Sequence, residues 1–84
     1  MSQVAVVIGG GQTLGEFLSR GLAAEGYRVA VVDIQSEKAA RVADSINTEF
    51  GEGMAYGFGA DATSEQSVMA LARGVDEIFG RIDL

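Results

Sequence analysis

The sequence predicts an α/β fold: a Rossmann-type doubly wound parallel sheet, seen through its first βαβαβα portion. Three observations carry this reading. Short, continuous apolar runs suit strands, stripes of helical period lie between them, and glycine or aspartate stands at each change of period. Such unbroken runs need burial on both faces, which parallel strands obtain from helices packed on either side.

Val4-Ala5-Val6-Val7-Ile8 forms the first strand, largely β-branched and bounded by Gly9. From Thr13 the period changes. Leu14, Phe17, Leu18 and Leu22 fall at i, i+3, i+4 and i+8, one apolar stripe of a helix that Gly26 ends. Val29 to Val32 repeats the buried-strand composition and closes on Asp33.

Ser36 is placed to cap a second helix with a stripe of Ala39, Ala43, Ile46 and Phe50, and Gly51 follows as a left-handed terminator. Met54 to Ala60 reads as a weaker strand, loosened by Gly57 and Gly59. Thr63 and Gln66 fit the capping box of a third helix, whose apolar face is Val68, Leu71, Ala72, Val75, Ile78 and Phe79 and whose end is Gly80. Ile82-Asp83-Leu84 reads as a fourth strand cut short.

Alternation of this kind, with no proline and short connections, implies right-handed crossovers. The first strand then lies centrally, the second and third lie to one side, and the fourth belongs on its other flank. Without that fourth strand an apolar edge would stay open. Residues 1–84 are therefore expected to be the N-terminal part of a dinucleotide-binding domain within a longer chain, the alternative being a complete small domain.

Six basic against twelve acidic residues leave a net charge of −6, which argues against a nucleic-acid or anionic-membrane surface. The absence of cysteine and histidine excludes disulfides, thiolate chemistry and the commonest zinc sites within these residues, so no metal is expected. The apolar run at the N-terminus is too short for a signal peptide or a membrane span, and a cytoplasmic protein is expected.

The chemistry is concentrated at Gly9-Gly10-Gly11. A helix N-terminus presents unpaired N–H groups and about half a positive charge, so it can hold a phosphate without a lysine. Glycines before it permit positive φ and close approach of a pyrophosphate. The G-x-G-x-x-G fingerprint is missed by one position, because Leu14 falls where the last glycine belongs and Gly15 follows. Alone the loop is a weak signal, and many such turns serve packing only.

Asp33 strengthens it, since a carboxylate ending the second strand can accept from both ribose hydroxyls of an adenosine. It would also repel a 2′-phosphate, and Ile34 stands where a basic partner could have been. Lys38 and Arg41 are expected to face solvent. NAD is thus favoured over NADP. An aspartate at a strand end can equally be a turn former, and the same choice holds for Asp61 in "GADAT", which either lies beside an adenine or caps the next turn. No P-loop and no Gly-x-Ser-x-Gly elbow is present.

"VVIGGGQTLG", Asp33 and "GADAT" together resemble the N-terminal part of the short-chain dehydrogenase/reductases, whose glycine signature is Thr-Gly-x-x-x-Gly-x-Gly. Gly9 and Gly15 match the first and last signature glycines; Ile8 replaces the threonine and Thr13 the middle glycine. Thr13 is then free to offer its hydroxyl to a phosphate or to cap the helix.

The resemblance implies cofactor binding by Gly9, Gly11, Gln12, Thr13, Leu14, Gly15, Asp33, Ile34, Asp61 and Ala62, with Leu14 giving a backbone N–H to the pyrophosphate and Asp61 and Ala62 flanking adenine. It implies hydride transfer with an alcohol, a homo-oligomer (a tetramer) and, from its nearest-looking members, a sugar-phosphate or polyol-phosphate substrate. The family's tyrosine acid/base has a lysine four residues on. Tyr27 and Tyr56 have Val31 and Ala60 there, so no catalytic residue is expected within this stretch. The leading expectation is an NAD-dependent oxidoreductase; a non-catalytic NAD-binding sensor, a related dehydrogenase of different substrate and a ligand-free α/β module remain as alternatives.

Overall fold

The computed structural model describes residues 3–9, 11–80 and 83. Strands and helices alternate in the order β1 (Val4–Ile8), α1 (Thr13–Ala24), β2 (Arg28–Asp33), α2 (Ser36–Phe50), β3 (Ala55–Gly59) and α3 (Glu65–Phe79). The strands form one parallel sheet in the order β1-β2-β3, with Val4 opposite Arg28 and Val29 opposite Ala55. The α/β, Rossmann-like fold is as the apolar runs predict.

Because side chains alternate across a strand, each strand feeds two cores. Val7, Val29, Val31 and Ala55 meet Ala39, Val42, Ala43 and Ile46 of α2 and Ala23 of α1. On the opposite face Val4 and Ala30 meet Val75 and Phe79 of α3, with Phe58 packed alongside. Both faces of the sheet are therefore covered by helices. Arg20 of α1 pins the two helices on one face together, donating to Glu49 and Ser45 of α2 as well as to Glu16.

Gly57 and Gly59 do more than weaken a strand. With Ala55 they form the face of β3 turned to α2, and a Cβ on Gly59 would stand 2.8 Å from that of Ser36. The missing side chains let the start of α2 sit on the strand.

Several local expectations need correction. In α1 the stripe of Leu14, Phe17 and Leu18 is exposed, and the helix buries Ser19 and Ala23 instead, because small side chains are what its contact with the sheet admits. In α3, Val75 and Phe79 are buried but Val68 and Ile78 are exposed.

Ser36 is the first residue of α2 and not its cap; Gln35 holds that place, its N–H donated to Asp33 Oδ1. The cap of α3 is Ser64, which accepts from Ser67 N–H at 3.3 Å. Thr63 is withdrawn from that role by Asp61, whose Oδ1 takes both its N–H and its hydroxyl. Gly51 has φ 120° and ψ 153°, an extended conformation open to glycine, in place of the left-handed helical one that Gly80 adopts.

Of the expected fourth strand, Ile82 and Leu84 lie outside the described residues. Asp83 donates its N–H to Val4 O at 2.8 Å and accepts from Val4 N–H at 2.9 Å. Since β2 bonds to the neighbouring Gln3 carbonyl, this contact lies on the flank of β1 away from β2. No helix among the described residues is long and apolar enough to cross a membrane.

Candidate functional site

Parallel strands all end at the same edge of their sheet, so the residues following β1, β2 and β3 converge. Here they enclose a cleft of about 250 Å³. Of the residues expected from the sequence, Gly9, Gln12, Asp33, Ile34, Asp61 and Ala62 line it; Ile8, Ala60 and Thr63 complete it. Among the described residues, larger hollows lie elsewhere, such as one of about 460 Å³ between α2 and β3 and one of about 450 Å³ along the exposed stripe of α1. Neither gathers the strand ends, so the smaller cleft is the candidate site.

The loop from β1 to α1 is built around Gly9, at φ 77°, whose carbonyl accepts from Gln12 N–H at 3.1 Å. Nothing lies within 4 Å of where a Gly9 side chain would project, leaving space beside the loop. The first helical bond of α1 runs from Glu16 N–H to Gln12 O at 2.7 Å. The amides of Thr13, Leu14 and Gly15 precede it and so belong to the first turn, whose N–H groups lack intrahelical acceptors. These three residues do not line the cleft. Thr13 is the first helical residue, so it does not cap α1; Gln12 stands at the cap and makes no side-chain capping bond. Gly10 lies outside the described residues.

Asp33 is 3% exposed, a carboxylate drawn inward at the end of β2. Its Oδ1 accepts from Gln35 N–H at 2.9 Å and its Oδ2 from Gln12 Nε2 at 3.3 Å. The Gln35 amide does most to hold the pKa below the ordinary carboxylate value; burial opposes it, and Gln12, the Gly11 amide and the charge of Lys38 add to the lowering. The group is thereby kept ionised, an acceptor only.

Gly11 does not line the cleft but backs this carboxylate. A Cβ there would stand 2.9 Å from Asp33 Oδ2 and 2.7 Å from Lys38 Cβ. Lys38 is therefore half-buried beside the glycine loop, not turned to solvent as its place on an amphipathic helix suggests. Arg41 is exposed as expected. No sequence pattern marked Lys38; its role follows from α2 starting so close to β2.

Asp61 is a turn former and also a cleft residue. Its carboxylate closes a turn on Thr63, which holds its pKa down, and its N–H donates to Ser67 Oγ at 2.9 Å, while the residue also lines the cleft. Neither Tyr27 nor Tyr56 is among the cleft residues.

A cleft with a glycine loop and a helix start on one side and a buried carboxylate at the next strand is the arrangement that suits a dinucleotide. The family model for short chain dehydrogenases matches residues 3–84. The chain belongs to that family. Short-chain dehydrogenases bind nicotinamide cofactors.

The chain is 83% identical to sorbitol-6-phosphate 2-dehydrogenase of Escherichia coli (strain K12) over 84 residues, all of this chain and 32% of that protein. The crystal structure of sorbitol-6-phosphate 2-dehydrogenase from Erwinia amylovora superposes with a TM-score of 0.92 at 64% identity, covering 94% of this chain and 31% of that one. A xylitol dehydrogenase bound to NAD+ gives a TM-score of 0.87 at 31% identity, over 96% of this chain and 30% of its own. The chain thus spans about a third of the length of these relatives.

Proposed function

We propose that this chain is the NAD-binding part of an oxidoreductase that interconverts D-sorbitol 6-phosphate and D-fructose 6-phosphate. The observation that carries the cofactor is Asp33, ionised, buried and lining the cleft. The substrate follows from 83% identity across the whole chain to an enzyme of that name.

The residues present fit the cofactor. Asp33 would accept the hydroxyls of the adenosine ribose, and its charge would disfavour the 2′-phosphate of NADP. The first-turn amides of Thr13, Leu14 and Gly15 would meet the pyrophosphate, with Gly9 leaving room for it. Ile34, Asp61 and Ala62 would border the adenine. The nicotinamide, when bound, supplies the hydride acceptor. These residues contribute binding and orientation; the acid/base chemistry belongs to parts of the protein outside them.

The test is turnover by the purified full-length protein. D-sorbitol 6-phosphate should drive reduction of NAD in preference to NADP. Tight NAD binding without turnover of any polyol phosphate would favour a sensor, and failure to bind NAD would overturn the proposal.

A further inference from the structure

We propose that Ser67 is a positioning residue for the adenine of the cofactor, its hydroxyl holding Asp61 so that one carboxylate oxygen meets the 6-amino group; this rests on the cofactor reading above. Ser67 stands in the first turn of α3, half-buried and outside the cleft that Asp61 lines. Whatever it contributes to a ligand must pass through Asp61.

Two consecutive amides fix the end of β3 by reaching to different neighbours. Ala60 N–H donates to Asp33 O of β2 at 3.1 Å, and Asp61 N–H donates to Ser67 Oγ of α3 at 2.9 Å. The Asp61 carbonyl accepts from Ser64 N–H at 3.0 Å, and Ser64 Oγ in turn accepts from Ser67 N–H at 3.3 Å. A closed ring of bonds thus ties both main-chain polar groups of Asp61 to the head of α3. Because Ser64 is the cap of α3, the Ser67 hydroxyl is not spent on capping that helix.

The two oxygens of the Asp61 side chain differ. Oδ1 accepts from both the N–H and the hydroxyl of Thr63, whereas Oδ2 takes no hydrogen bond among the described residues. The Thr63 bonds keep the group ionised, and an ionised carboxylate is an acceptor only. An adenine joined to ribose has one N–H donor group, its 6-amino nitrogen. That group is the partner Oδ2 can take. A bond to it depends on where the Asp61 backbone is held, since hydrogen bonds weaken steeply away from their preferred geometry.

Calorimetric titration of the full-length protein decides this, with NAD and with an NAD analogue that carries hydrogen in place of the 6-amino group. Wild type should prefer NAD. Ser67→Ala should bind NAD about three- to tenfold more weakly, the effect of one loosened hydrogen bond, and the analogue as before. A second pair holds side-chain shape constant: Ser67→Thr keeps the hydroxyl and should retain the preference, while Ser67→Val should weaken it as alanine does. Equal weakening of both ligands, an unchanged preference in the alanine and valine variants, or a threonine variant no better than valine overturns the role of Ser67. Wild type that binds NAD without preferring it to the analogue does the same and leaves the cofactor reading standing. Wild type that binds neither overturns that reading and this one with it.

Discussion

Gly57 in β3 lies against the backbone of Ala39 in α2, so closely that a Cβ on the glycine would stand 2.8 Å from the Ala39 carbonyl carbon and 2.8 Å from Ala40 N. Two effects then oppose each other in Gly57→Ala. Strand propensity alone would stabilise the protein by about 0.5–1 kcal/mol. The contact is with backbone, which cannot rotate away, and overpacking of this kind costs about 1–3 kcal/mol. The expected result is net destabilisation, read as a lower denaturation midpoint of the full-length protein. A raised midpoint would show that α2 can move off the strand.

That contact also marks the limit of what the sequence discloses. Period and composition suffice for six elements in order, because the strands are buried on both faces and the glycines fall at the turns. The same reasoning takes Gly57 and Gly59 as weakness, since nothing in one segment says which neighbour comes within van der Waals distance. The α1 stripe shows the converse. Leu14, Phe17 and Leu18 have helical spacing, yet spacing reports only that a face is apolar, not that the described residues cover it. At the site, Gly9, Asp33 and Asp61 were legible because strand ends of a parallel sheet must converge. Lys38 and the Gln12 bond were not, because each depends on the exact approach of α2 to the loop.

Asn47 closes the outer edge of the sheet. Its Nδ2 donates to Ala55 O at 2.9 Å and its Oδ1 accepts from Ala55 N–H at 2.8 Å, pairing the groups of β3 that point away from β2. Asn47→Leu would leave both without that partner beside a buried residue, at a cost of about 1–3 kcal/mol. Chemical denaturation should show this loss, with NAD affinity retained because Asn47 does not line the cleft. Full stability in the variant would mean that water replaces the side chain at no cost.

Asp33→Ala removes both the acceptor and the charge proposed to choose the cofactor. Loss of a hydrogen bond to a charged group corresponds to about a ten- to hundredfold weaker NAD complex. NADP binding should suffer less, because the repulsion of its 2′-phosphate disappears at the same time. Titration with both nucleotides therefore should give a smaller ratio of affinities in the variant. An unchanged ratio would place selectivity elsewhere.

The same carboxylate fixes a direction for pH. Its pKa in the folded protein is lowered, first by the Gln35 amide, from an ordinary value of 3.8. Below that value the unfolded chain takes up a proton that the folded one still refuses, so acid favours unfolding. The contribution of Asp33 to stability is thus complete above about pH 5 and declines as pH falls past 3.8 toward the folded pKa. Asp33→Asn lacks this titration. The difference in unfolding free energy between the two proteins should therefore stay level from neutral pH to about 5 and shift in acid, at the expense of the wild type. A difference that holds constant into acid would mean that the Gln35, Gln12 and Gly11 donors do not favour the ionised form.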